Sequence, residues 1–250
     1  MSRYDSYNRE ERAICSHLFR LLHENLSDKH GSPFFKFLSL LSDKPMTFGG
    51  SPFDLTRLKF KNIAVYSEVS IIRDYYQHLK PSHNSFMESL SLLIMEQEGV
   101  SNCRRYSDLP SPLNDHRNTH PNQIRRKAKT LNIDLTEDEQ RAYGAMQGMF
   151  NAKPDLVLTI DDYLLVCEAK LTEPFDLDQL ERTRNITQVW ATLMYEEFGF
   201  DHPPECLVFT LGAQQYNPDI SWEDILQIAE VTYDDNDRSR LAFQYGKEIH

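Results

Sequence analysis

Residues 154–172, PDLVLTIDDYLLVCEAKLT, constrain the fold more than any other stretch of the chain. Two apolar runs rich in strand-forming side chains flank the dipeptide Asp161–Asp162, which is the pattern of a strand–turn–strand hairpin. A two-residue loop pairs Ile160 with Tyr163 and, counting outward along both strands, sets Asp155 opposite Glu168. A symmetrical four-residue loop keeps that register, whereas a three-residue loop breaks it. Side chains alternate between faces along a strand, so Lys170 shares a face with Glu168. Directly opposed residues bring their Cβ atoms to about 4.5–5.5 Å, and like charges so placed repel. The pair therefore demands a counter-charge. Lys170 supplies part of it, and a divalent cation that prefers hard oxygen ligands, Mg²⁺ (or Mn²⁺), would supply more.

The surrounding pattern places this hairpin in an α/β chain. Ile14, Leu18, Leu21 and Leu22 recur at helical spacing within 10–25, and a short apolar helical piece covers 34–41. Helices are also expected over 62–79, 85–97 and 135–149, the last opened by Thr136 and Glu139 as a capping box. Behind the hairpin come a long helix at 177–198, a strand at 206–212 and a helix at 222–231 with Ser221 as its cap. The expected division is a helical N-terminal region at 1–83 followed by a core at 84–250. Residues 107–123, with three prolines and three asparagines, are expected to form an exposed loop.

Charge is distributed unevenly. The chain carries a net −11, yet residues 101–129 hold seven basic and two acidic side chains, while 130–250 hold eight basic and 24 acidic. Polyanion binding follows local potential rather than net charge, so the acidic total does not exclude a nucleic-acid partner. No apolar run approaches the ~20 residues of a membrane-spanning helix. The polar start MSRYDSYNREER lacks the apolar core of a secretory signal, and the four cysteines are scattered with no CxxC pair. A cytoplasmic location is the expectation. There is no P-loop and no zinc-type histidine pattern.

Pro154-Asp155, a hairpin, then Glu168-Ala169-Lys170 in an apolar strand resembles the motif of the PD-(D/E)xK nuclease superfamily. The segment 154–212 is similar to the second half of that family's core. The resemblance implies a restriction-endonuclease-like core, a small mixed sheet flanked by helices, with 101–129 as a basic loop insertion. It implies divalent-metal-dependent hydrolysis of phosphodiester bonds in nucleic acid, DNA favoured over RNA as the substrate, with Asp155 and Glu168 as metal ligands and Lys170 as the catalytic lysine. Gln188, on the helix after the motif, partly matches a helical glutamine that assists the site in exonuclease-like branches. A further Glu on the first core helix is offered by Glu11, Glu68 or Glu88, with Glu88 favoured. By association, such chains resemble effectors of prokaryotic defence systems or mobile elements, and endonuclease cleavage of both strands would favour a homodimer. The alternative is a catalytically inactive nuclease fold that serves as a scaffold for a protein partner.

Overall fold

The computed structural model describes residues 11–27, 29–42, 53–78, 83–198 and 203–248. In chain order the elements are α1 (Glu11–Glu24), α2 (Pro33–Ser42), β1 (Ile63–Ser67), α3 (Ile71–His78), α4 (His83–Gln97), α5 (Ile124–Thr130), α6 (Glu137–Asn151), β2 (Leu156–Ile160), β3 (Tyr163–Ala169), α7 (Leu177–Phe198), β4 (Glu205–Gly212), β5 (Ile220–Ser221), α8 (Trp222–Glu230) and α9 (Arg238–Glu248). The result is a mixed α/β chain with a small five-stranded mixed sheet flanked by helices, in strand order β1-β2-β3-β4-β5. The first three strands form an antiparallel meander, and α7 carries the chain over to β4, which lies parallel to β3. Among the described residues no helix is long and apolar enough to cross a membrane.

Two compact units emerge. The first comprises Met1–Val69, Pro154–Thr187 and Asp201–His250; the second comprises Ser70–Lys153 and Gln188–Phe200. The division expected at 83/84 follows neither unit, because the first unit is assembled from three separated pieces of chain. The helix expected over 62–79 is also replaced, by strand β1, a break at Glu68, and the short helix α3. Left-handed backbone at Phe60 (φ 52°) and Glu68 (φ 50°) brackets the strand. Its partner is β2, nearly a hundred positions away, so local periodicity carries only part of its signal.

In the first unit the sheet turns one face to an apolar core. Leu158 and Ile160 of β2, Leu165 and Cys167 of β3, and Phe209 of β4 are fully buried there. They pack with Leu18 and Leu21 of α1, Phe34 and Phe37 of α2, Ile225 of α8 and Phe243 of α9. Burying each such side chain stabilises the fold by roughly 1.5–3 kcal/mol. The hairpin turn does more than reverse the chain. Asp161 (φ 50°) accepts backbone N–H bonds from Lys59, Phe60, Lys61 and Asn62 at 2.7–3.3 Å, tying the lead into β1 to the β2–β3 turn. Although its partial burial opposes this, the four N–H donors hold its carboxyl below the usual range.

The second unit is helical, built on α3 to α6 and the last part of α7. Here the capping box of α6 forms as expected, with Thr136 accepting from Glu139 N–H and the Glu139 carboxylate from Thr136 N–H. Residues 107–123 are not an exposed loop: Leu109, Leu113 and Thr119 are buried, and short helical turns punctuate the segment. Apolar side chains at that spacing give even a proline-rich stretch enough burial to pack.

Candidate functional site

The hairpin register is the one the turn dictates. Ile160 pairs with Tyr163, Leu158 with Leu165 and Leu156 with Cys167, which brings Asp155 and Glu168 side by side one step further on. Asp155 lies just before β2, and its Oδ2 accepts the Ala169 N–H at 2.9 Å, a bond that fastens the carboxylate to the end of β3.

The same row extends across the sheet. Continuing the β1–β2 register by one residue sets Glu68 beside Asp155, and the Glu68 N–H reaches Asp155 O at 3.4 Å. On the other side Glu168 pairs with Thr210 of β4, whose N–H and Oγ1–H both donate to buried Asp219 at 2.8 and 2.9 Å. Paired residues on neighbouring strands share a face. Glu68, Asp155, Glu168, Thr210 and Asp219 thus form a polar line, on the side of the sheet opposite Leu156, Cys167 and Phe209.

Glu168 is 7 % exposed, and both of its oxygens are held by α7: Thr183 Oγ1–H donates to Oε1 at 2.6 Å and Gln179 Nε2–H to Oε2 at 2.9 Å. Both donors are neutral. Burial pushes the Glu168 carboxyl up to about 7; Asp155 adds to the rise, while Thr183, Lys170 and Gln179 oppose it. Asp155 is raised as well, again chiefly by burial, with Glu68 adding and the Ala169 N–H, Lys170 and Arg12 opposing. Arg12 of α1 stands 3.6 Å from the Glu68 carboxylate. Two cations therefore act on the row, and burial still dominates.

Lys170 follows β3 directly, its N–H bonded to Leu211 O at 2.8 Å and its carbonyl accepting from Trp222 Nε1 at 3.0 Å. A tight approach at Gly212 accompanies this anchorage. A Cβ there would come 2.9 Å from the Phe175 ring and 3.3 Å from Lys170 O. Asp155, Glu168 and Lys170 are thus brought together, as the register and alternation require.

The other expected members lie elsewhere. Gln188 is exposed, and at 100° per residue it sits about 180° around α7 from Gln179, away from the side that meets Glu168. Glu68 is not on a helix but at the end of β1, within the row. Glu88 belongs to the second unit, where it accepts the Ser107 N–H at 3.0 Å. The side chain of Glu11 lies outside the described residues. Gln179 and Thr183 are legible in the sequence only as polar residues at i, i+4 on the helix that follows the motif; their targets are not.

The basic segment also divides. Arg104 gives its backbone N–H, Nε–H and Nη2–H to Glu139, a carboxylate only 1 % exposed, so this arginine serves the second unit's own stability.

A cation suits the row on chemical grounds. Its donors are hard carboxylate oxygens, their burial leaves negative charge poorly compensated, and Mg²⁺ is typically bound through one or two carboxylates with water completing its shell. Among the described residues no group of three or more His, Cys, Asp or Glu side chains is placed to hold a metal ion. No family model matches the chain, and no curated protein or solved structure matches it either.

Proposed function

We propose that the chain is a divalent-metal-dependent nuclease with a restriction-endonuclease-like core of the PD-(D/E)xK kind, acting on DNA. The observation that carries this reading is the adjacency of two carboxylates, half-buried Asp155 and buried Glu168, both raised in pKa chiefly by loss of solvation, beside Lys170 at the end of the same strand. The strand meander, crossover helix and parallel fourth strand that frame them support the reading.

Asp155 and Glu168 would hold Mg²⁺ or Mn²⁺. The bound ion supplies Lewis-acid polarisation of a phosphoryl oxygen and a more acidic water. Lys170 contributes a fixed positive charge beside the pair, offsetting the negative charge that develops on the phosphorus oxygens and orienting the attacking water. Gln179 and Thr183 fix the Glu168 carboxylate in one orientation; they are positioning residues. The Ala169 N–H does the same for Asp155.

The test is cleavage of supercoiled, linear and single-stranded DNA, and of RNA, with Mg²⁺ or Mn²⁺ and with EDTA, using Lys170→Ala as the control. Metal-dependent DNA cleavage lost in the variant is the expected result. Calorimetry of Mg²⁺ and Mn²⁺ binding to the wild type and to Asp155→Asn gives an independent measure. Absence of both cleavage and metal binding would overturn the reading in favour of a catalytically inactive scaffold for a protein partner.

A further inference from the structure

Within the second unit, helix α5 is built in a way that its own folding does not require. Its sequence, Ile-Arg-Arg-Lys-Ala-Lys-Thr, buries only Ile124 and Ala128, a seam at i, i+4. Arg125, Arg126 and Lys129 are exposed and Lys127 is half-buried. The helix therefore presents a basic surface with no acidic side chain interspersed.

These charges work against the helix in two ways. Arg126 and Lys129 at i, i+3, and Arg125 and Lys129 at i, i+4, are neighbours of like sign, and such pairs destabilise a helix. Arg125 and Arg126 also occupy the first turn, where the helix dipole favours acids. Only Lys127 and Lys129, in the last turn, gain from it.

Nor are the charges absorbed by neighbours. Arg125 donates to Gln140 Oε1 at 3.2 Å and packs over Gly144, where a Cβ would stand 2.9 Å from its Nη1. Arg126, Lys127 and Lys129 form no ion pair among the described residues. Elsewhere Arg20, Arg57, Arg240 and Lys247 each meet an acid. In a chain of net charge −11, the exposed basic side chains of α5 keep a local positive potential.

We infer that α5 docks the phosphate backbone of a nucleic acid, with Arg126, Lys127 and Lys129 as the residues that meet it; the inference rests on the proposed function in taking the polyanion to be nucleic acid. A membrane-surface helix would insert an apolar face, and the apolar residues of α5 point inward. A protein interface would favour an exposed apolar centre, and beside the basic face of α5 only Leu131 at its C-cap is exposed and apolar. Recognition of the backbone alone carries no sequence preference.

The experiment is anisotropy of a fluorescent DNA duplex in EDTA, so that binding is read apart from any metal-dependent chemistry. Wild-type protein is compared with the triple variant Arg126→Ala/Lys127→Ala/Lys129→Ala and with Lys129→Glu alone, each checked by a thermal melt. We expect the triple variant to lose at least about tenfold in affinity at low salt. The slope of log K against log salt should shrink by roughly 2–3, near 0.9 for each phosphate that is no longer neutralised. Equal binding by folded variants, or binding to anionic lipid vesicles with none to DNA, overturns the inference. Loss of binding in the variants, together with neither Mg²⁺-dependent cleavage nor Mg²⁺ binding by the wild type, supports α5 docking and overturns the nuclease reading alone.

Discussion

Two buried carboxylates, one in each unit, face the same physical problem and meet it differently. Glu139 at the start of α6 is 1 % exposed, and Glu168 on β3 is 7 % exposed. Glu139 receives the Nε–H and Nη2–H of Arg104 together with the backbone N–H groups of Arg104 and Thr136. The Arg104 bonds outweigh burial and hold its carboxyl below the usual range. Glu168 receives two neutral donors and a second carboxylate beside it, and its carboxyl is pushed up to about 7, first of all by burial. One site is electrostatically closed. The other hydrogen-bonds only neutral donors, with Lys170 acting on it from a distance too weakly to offset burial, and on the proposed reading it is the one a cation would neutralise.

The most severe way to break the comparison is to remove the open site's ligands. Asp155→Asn or Glu168→Gln should lower metal-dependent cleavage about 10³-fold, measured as initial rates on plasmid DNA, and should abolish calorimetric metal binding. The same Glu168→Gln change should stabilise the metal-free protein at pH 8. A carboxyl raised from 4.5 to about 7 favours folding below 4.5 and loses that contribution as pH rises through 7, on the order of 3 kcal/mol in all. Urea titrations across pH 4.5–8 with EDTA should show a slope in the wild type that is clearly shallower in the variant, where only Asp155 of the pair still titrates.

Glu139 has the opposite sign. Its stabilisation is present above the unfolded value near 4.5 and disappears as pH falls through its lowered folded value. Arg104→Ala would strand this buried charge and cost about 2–3 kcal/mol, read as a fall in Tm with no effect on metal binding. Thr183→Val is the mildest test. Losing one bond to Glu168 should raise that carboxyl further and weaken metal affinity about tenfold, while Tm of the metal-free protein changes little.

How legible these sites are depends on how far apart their parts lie in the chain. The β2–β3 register, and with it the adjacency of Asp155 and Glu168, follows from a two-residue turn and the period of a strand. The capping boxes of α6 and α8 are equally local. Strand β1 is hidden within an expected helix over 62–79 because a strand is fixed by its pairing partner, which lies far along the chain, and Glu68 belongs to the row only through that pairing. The family resemblance points to Gln188 and passes over Gln179 and Thr183, since the face that α7 turns to Glu168 is invisible in one dimension. Arg104 counts with the basic segment until its acid, Glu139, is supplied by a later helix.

The sequence by itself determined the hairpin, the sharing of one face by Asp155, Glu168 and Lys170, and the concentration of positive charge in 101–129. Those features depend on neighbours within one turn or one pleat, where backbone geometry leaves few alternatives. Tertiary structure decided which carboxylate is bonded to an arginine and which only to neutral donors, which residues of α7 hold Glu168, and which basic side chains of α5 form no ion pair among the described residues. Each of those depends on which distant side chain is packed against a group once water has been removed from it, and burial and counter-charge are properties of that packed environment.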